Sequence, residues 1–340
     1  MTVGRSVLVT GASGFLGGRL TEMLVAEGED VTVLARVRAD LGHLAHLDAG
    51  QLRIVRGGLT DVAAVAEAMR GTTHIYHCAA ASTDWASDEV YFESNVRGTE
   101  TLLRAARECR GLKRFVHVST TDVYGYPLIP CDETGALKDA GLPYNRTKLQ
   151  AEELAWRAAR EDGLPVTVVR PATIYGPRGK AFVTDIAELL RTGMMAYVAG
   201  GRATGGFLYV DNCAEAMMAA ARSSRTLGQA YNLSGETGVS WKEYCTALAR
   251  GLGYKTPWID LPYGAAMGLA GVMEAPYRVM KRLPGRPLLT RHAVLLLGRD
   301  QEFPSGKARE EFGFTSRVGF EEGVERSVRW CRELQALSSR

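Results

Sequence analysis

A short β-branched run, Val7-Leu8-Val9-Thr10, passes directly into Gly11-Ala12-Ser13-Gly14-Phe15-Leu16-Gly17 and then into a helical pattern. A strand, a tight glycine turn and a helix in that order restrict the chain to few folds. Gly11 permits the turn, Gly14 lets a pyrophosphate approach the backbone, and Gly17 lets the helix pack closely on the strand. The helix start then offers free N–H groups and a favourable dipole to phosphate. Glycines also mark plain turns; the position between strand and helix is what makes this a dinucleotide-binding loop.

The first half keeps the same rhythm. Apolar strand runs at 6–10, 30–35, 53–55, 74–78, 114–119 and 165–170 alternate with helical patterns at 17–27, 61–69, 90–107 and 144–161. This is the order of βαβ units in a parallel sheet covered on both faces. The expected fold class is α/β, a Rossmann-type doubly wound sheet over 1–170, with a smaller substrate-binding region over 171–335. A strand and helix near 205–235 are expected to rejoin the first domain, with 207–210 as the candidate returning strand. The segment 263–280 is apolar and rich in Met, but Glu274, Pro276 and Arg278 interrupt it. A spanning helix needs roughly 20 nearly uncharged residues, so the segment reads either as a cover for an apolar substrate or as a helix buried against the core.

Across 340 residues the formal net charge is +3, with Lys and Arg scattered among the acids. That is too little for a nucleic-acid footprint, so a small molecule is the expected partner. The six cysteines lie far apart, without the paired spacing of a zinc site or a dithiol centre. No metal is expected, and the thiols read as reduced. The strand pattern at 6–10 leaves no room for a charged leader and apolar core, which points to the cytoplasm.

The second strand ends Val33-Leu34-Ala35-Arg36. An acidic residue there would accept bonds from the adenosine ribose of NAD, whereas Arg36, with Arg38, suits a 2′-phosphate. NADP(H) is therefore the expected cofactor and NAD(H) the alternative. Further on, Tyr144-Asn145-Arg146-Thr147-Lys148 sets a phenol and an ammonium on one face of a helix. A nearby Lys charge favours the phenolate, which would let Tyr144 exchange a proton with a substrate oxygen. Upstream, Phe115-Val116-His117-Val118 delivers Ser119 and Thr120 at a strand end, where ligands of open parallel sheets lie.

Taken together, Thr10 to Gly17, His77-Cys78-Ala79-Ala80, Asn95, Ser119 to Gly125, Tyr144 to Lys148, Arg170 to Pro177 and Tyr209-Val210-Asp211-Asn212 resemble the extended short-chain dehydrogenases/reductases. The resemblance implies a catalytic trio of Thr120, Tyr144 and Lys148, with Ser119 adjacent, and Lys148 also holding the nicotinamide ribose. It implies cofactor contacts from Gly11, Ser13, Gly14, Phe15, Leu16, Gly17, Leu59, Ala79, Ala80, Asn95, Pro171, Thr173 and Ile174. Where many relatives carry an adenine-binding Asp, this sequence has Gly58 before Leu59.

Within that family, sugar dehydratases carry Asp-Glu after the catalytic Thr, and here the pair is Thr121-Asp122. Nucleotide-sugar enzymes often have Asn where Thr173 stands and Arg before Phe207, where Gly205-Gly206 stand. Arg178 and Arg202 remain as diphosphate candidates. The 208–214 segment and the tail from 288 to 320 are similar to the 3β-hydroxysteroid dehydrogenase-like reductases. The expected activity is NADP(H)-dependent hydride transfer between nicotinamide and a secondary alcohol or ketone of a fairly apolar molecule, with a nucleotide-sugar epimerase retaining NAD as the alternative. A non-catalytic dinucleotide sensor would not need the Tyr144 and Lys148 pair. Helices 90–107 and 144–161 are candidates for a four-helix homodimer interface.

Overall fold

Strands buried along nearly their whole length need cover on both faces, and the computed structural model, which describes residues 5–235, 238–280 and 285–338, supplies it. Strands β1 (Ser6–Thr10), β2 (Asp30–Ala35), β3 (Leu52–Arg56), β4 (His74–His77), β5 (Arg114–Val118) and β6 (Val166–Pro171) form one sheet with β10 below. The short strands β7 (Ile174–Tyr175), β8 (Ala196–Val198) and β9 (Leu208–Tyr209) lie outside it, β10 (Ala230–Leu233) rejoins it, and β11 (Ile259–Leu261) pairs with β8. All the central pairings are parallel, in the order β10-β6-β5-β4-β1-β2-β3. Strand order reverses between β1 and β4, and the crevice of such a sheet opens beyond the strand ends at that point.

The pleat assigns alternate residues to opposite faces. Val7 and Val9 enter one core cluster with Leu20, Leu24, Met217 and Met218, while Leu8 enters the other with Val65, Leu102 and Ala155. The first layer is α1 (Phe15–Ala26) and, later in the chain, α7 (Val210–Arg222). The second is α2 (Val62–Ala68), a helix built from α3 (Asp88–Tyr91), a π-helical stretch at Phe92–Arg97 and α4 (Gly98–Arg107), and α5 (Pro143–Asp162). Asp61 caps α2 by accepting from the Ala64 amide. Helix α5 starts on Pro143 and stops at Gly163 with φ of 66°, the expected asymmetry of helix ends.

The second half supplies α6 (Asp185–Arg191), α7 (Val210–Arg222), α8 (Trp241–Leu252), α9 (Tyr263–Val279), α10 (Arg291–Gly298), α11 (Gly306–Phe312) and α12 (Phe320–Ser338). Its core is aromatic: Phe207 stacks on Tyr244 at 4.4 Å and meets Trp241 edge-on at 4.8 Å, geometries that suit the ring quadrupoles. Two expectations change here. The strand within 207–210 does not return to the central sheet: β9 pairs with β7, because Phe207 is drawn into the aromatic cluster, and β10 is the returning strand. The 263–280 segment is not buried against the core either. Within α9 only Ala266, Ala270 and Glu274 are buried, and Val272 and Val279 are exposed. No helix among the described residues is long and apolar enough to cross a membrane.

One polar cluster ties α5 to the sheet. Glu152 has no exposed surface and accepts from Ser119 Oγ at 2.6 Å, from Trp156 Nε1 at 3.1 Å and from the Arg170 guanidinium. Arg170 also donates to the Tyr124 hydroxyl at 2.6 Å, which donates to Asn232 at 2.8 Å. The cluster thus joins α5 to the ends of β5, β6 and β10. Removing one partner strands a buried charge, so Glu152→Ala is expected to lower unfolding free energy by about 3–5 kcal/mol in urea titrations, and Glu152→Gln by less. Equal and small losses for both would show that the pair does not anchor the helix.

Candidate active site

The glycine loop is cut to fit its neighbours. Gly11 has φ of +80°, and a Cβ there would lie 2.7 Å from the Ala79 amide nitrogen; one on Gly17 would lie 2.4 Å from the Gly11 carbonyl oxygen. Gly14, the N-cap of α1, provides no side-chain cap, and the first turn carries no acid. The amides of Phe15, Leu16 and Gly17 have no protein acceptor among the described residues. Unpaired donors at a helix start are an anion site, so the residues present fit a dinucleotide diphosphate. Ser13 and Gly14 are exposed, and Phe15 and Leu16 half-buried.

At the end of β2, Arg36 and Arg38 are exposed, and neither side chain has a protein partner among the described residues. Arg56 donates to the backbone carbonyls of Arg36 at 3.3 Å and Ala39 at 2.8 Å, which braces that loop. Sequence reasoning missed this third guanidinium because its partners are backbone carbonyls of the loop after β2, some twenty residues away. Leu59 is half-buried and packs closely on Gly98.

The loop after β4 faces the glycine loop across the strand reversal, with Ala79 and Ala80 half-buried. Asn95 holds it from behind: its Oδ1 accepts from the Ala81 amide at 2.7 Å, and its Nδ2 donates to the Ala81 carbonyl and to Thr147 Oγ1. Its polar atoms are therefore committed within the protein, where they fix the loop. Beneath, Thr99 donates to the Asn95 carbonyl at 2.6 Å, which leaves its oxygen to accept from His77 Nε2 at 2.8 Å; Thr10 then donates to His77 Nδ1 at 2.8 Å. Burial, followed by Lys148, holds His77 down to about 3, so this imidazole stays neutral. The neighbouring His117 is buried with neither ring nitrogen hydrogen-bonded, and burial keeps it neutral as well.

Thr120 and Tyr144 come together at the end of β5, where the Thr120 hydroxyl is near enough to the phenol to favour its ionised form and also accepts from the Asp122 amide at 3.2 Å. Ser119 does not join them, because its hydroxyl is spent on Glu152. Lys148 is buried on the same face of α5 as Tyr144 and donates to the Val118 carbonyl at 2.7 Å. Burial lowers its pKa to about 8 against the opposing charge of Glu152. Tyr144 moves the other way: burial, then Asp122, push its phenol up, and the Thr120 hydroxyl only partly offsets them. The net direction is opposite to that expected from a Lys148 charge acting on the phenol. Pro171 and Thr173 are buried and Ile174 half-buried beside β6.

Around Tyr144 stand residues that local sequence did not mark. Tyr91 lies 6.2 Å from its ring, and His292 of α10 stacks on it at 5.6 Å. Of the two diphosphate candidates, Arg178 is spent on a bidentate pair with Glu22 at 2.8 and 3.0 Å, and Arg202 is exposed. Chemically, the site offers a protonated phenol and a hydroxyl at the mouth of a dinucleotide crevice, an arrangement suited to proton exchange with a carbonyl or carbinol oxygen.

Comparison with known proteins bears on this arrangement. Residues 7–234 match the NAD dependent epimerase/dehydratase family. The 4-hydroxy-2-methyl-3-oxo-4-farnesyl-3,4-dihydroquinoline-1-oxide ketoreductase of Stigmatella aurantiaca is 35% identical over 320 residues, 93% of this chain and 94% of that protein. The 2-alkyl-3-oxoalkanoate reductase of Stenotrophomonas maltophilia is 31% identical over 94% of this chain and 97% of its own length. Among solved structures, a dTDP-glucose 4,6-dehydratase from Streptomyces venezuelae with NAD bound matches with a TM-score of 0.79 at 26% identity, over 98% of each chain. The chain belongs to the NAD dependent epimerase/dehydratase family, the extended short-chain dehydrogenases/reductases, and is an oxidoreductase of that family.

Proposed function

We propose that this enzyme is an NADP(H)-dependent ketoreductase that interconverts a ketone and a secondary alcohol on a fairly apolar small molecule. The observation that carries the reading is the meeting of the Thr120 hydroxyl and the Tyr144 phenol at the end of β5, with Tyr144 held protonated by burial. Two of its relatives, from Stigmatella and Stenotrophomonas, are named as a ketoreductase and an oxoalkanoate reductase, which supports carbonyl reduction here. Arg36 and Arg38, unpaired beside the braced loop, support a 2′-phosphate on the cofactor. A nucleotide-sugar epimerase is disfavoured by Thr173, by Gly205-Gly206 before Phe207, and by the commitment of Arg178 to Glu22.

When bound, the reduced nicotinamide supplies a hydride to the carbonyl carbon. Tyr144 donates its phenolic proton to the carbonyl oxygen as charge develops there, and Thr120 holds that oxygen in line. Lys148, fixed by the Val118 carbonyl, keeps a positive charge one turn from Tyr144 on the same face of α5. Asn95 holds the Ala79 to Ala81 loop in place. A groove with Phe92, Val96, Leu149, Leu154 and Trp156 in its lining, between α5 and the stretch joining α3 to α4, supports a homodimer through those elements.

Tyr144→Phe is expected to lower kcat for ketone reduction by about 10²–10⁴-fold, with NADP affinity by fluorescence titration little changed; wild-type turnover would remove Tyr144 from the mechanism. Arg36→Ala is expected to weaken NADPH binding by about tenfold or more, the loss of a charge-assisted hydrogen bond, while leaving NADH binding as it was. Equal effects on both cofactors would contradict the 2′-phosphate reading. The pH profile follows from two opposite shifts. Lys148 is charged below about 8 and neutral above it, whereas Tyr144 is pushed above its ordinary value and keeps its proton throughout. The kcat/KM for reduction should therefore be level below pH 8 and fall above it, and a limb appearing only near the ordinary tyrosine value of about 10 would assign the titration to Tyr144 instead.

A further inference from the structure

His292 comes from the second half of the chain and is brought to Tyr144 by the start of α10. Thr290 caps that helix by accepting from the Ala293 amide at 3.0 Å, which sets His292 in the first turn, 6% exposed. Its Nε2 lies 3.0 Å from Asp122 Oδ2, and its ring lies 5.6 Å from that of Tyr144 with 25° between the planes. Asp122 is itself clamped. The Tyr126 hydroxyl donates to the same Oδ2 at 2.8 Å, and Asn145, next to Tyr144, donates to its backbone carbonyl at 2.5 Å. Tyr126 has φ of 61° directly after Gly125 at 72°. A bulky residue in that region is strained and persists where its surroundings over-determine it, typically around ligands.

A carboxylate only accepts, so His292 donates from Nε2, and Nδ1 is the remaining polar atom of the ring. Nδ1 has no protein partner among the described residues. The titratable groups around the ring are Asp122, Tyr126 and Tyr144, with Tyr91 beyond. Among the described residues none of these four is hydrogen-bonded or ion-paired to a lysine or arginine. A substrate carboxylate would face the Asp122 carboxylate, whereas a hydroxyl can donate to Nδ1.

We propose that His292, anchored by Asp122, is the specificity residue of this site, its Nδ1 accepting from a substrate hydroxyl or enol one or two carbons from the reacting carbonyl. The preferred substrate is then a hydroxyketone or an enolised 1,3-diketone, not a plain ketone or a keto acid. This rests on the ketoreductase reading and narrows it.

The test compares kcat/KM for a cyclic hydroxyketone, its deoxy ketone and the matched keto acid in wild type, His292→Phe, which keeps an aromatic ring against Tyr144, and Asp122→Asn. Wild type should favour the hydroxyketone over both others by at least about tenfold, since a site built around a substrate hydroxyl rejects the analogue lacking it. In His292→Phe that ratio should fall to about one whatever the absolute rate, with Asp122→Asn between. Three results would overturn the assignment: a wild-type ratio near one, both rates falling in His292→Phe with the ratio unchanged, or a preference for the keto acid. Calorimetric binding of the hydroxyketone and deoxy ketone in the presence of NADP⁺ separates the two layers. A binding preference lost in His292→Phe without turnover of any ketone sinks the ketoreductase reading alone, and its absence in wild type sinks this one.

Discussion

Glu152 sits on the sheet side of α5, out of contact with solvent, four residues beyond Lys148. Its carboxylate takes bonds from the end of β5 through Ser119, from the end of β6 through Arg170, and from its own helix through Trp156. A buried pair of this kind adds little net stability compared with apolar packing, and its value lies in specifying one arrangement. Here that arrangement is the rotation and height of α5 against the sheet. Tyr144 and Lys148 meet Thr120 and the Val118 carbonyl because the helix cannot slide or turn without breaking the cluster.

The crevice follows from the same geometry read outward. Strand order reverses between β1 and β4, so two loops face each other with no helix between them. Gly11 lets them close, because any side chain there would strike the Ala79 backbone. Asn95 links that contact to Thr147 on α5, and in this way the glycine loop and the phenol are joined by an unbroken line of packed and hydrogen-bonded groups. The second half of the chain packs its own aromatic core and reaches into the site through the first turn of α10. Electrostatics then favour one protonation state, since burial and Asp122 both hold the proton on Tyr144.

Much of this was legible in the sequence where short-range physics decides. Parallel strands buried on both faces are runs of apolar residues, and six of them were placed within a residue or two at each end. The glycine loop and the Tyr144 and Lys148 spacing were legible because each is a local stereochemical requirement. What failed was tertiary. Phe207 belongs to a strand pattern, yet its partners Tyr244 and Trp241 lie more than thirty residues on, and they, not the local pattern, decide where it goes. Ser119 and Thr120 are adjacent hydroxyls, and only the buried Glu152 distinguishes them. In the sequence Asp122 stands out only as a departure from a dehydratase pair, and nothing near His292 marks it as a neighbour of Tyr144.

The central claim is spatial: the Tyr144 phenol faces the reacting edge of a nicotinamide whose phosphates rest on the amides after Gly14. The most direct measurement is an intermolecular nuclear Overhauser experiment on protein carrying ring-labelled tyrosine, with bound NADP(H) and the Tyr144→Phe variant used for assignment. The account predicts cross-relaxation between the nicotinamide C4 proton and the Tyr144 ring, lost in the variant. Contact of that proton with a different tyrosine, or with none while the cofactor is bound, would contradict it.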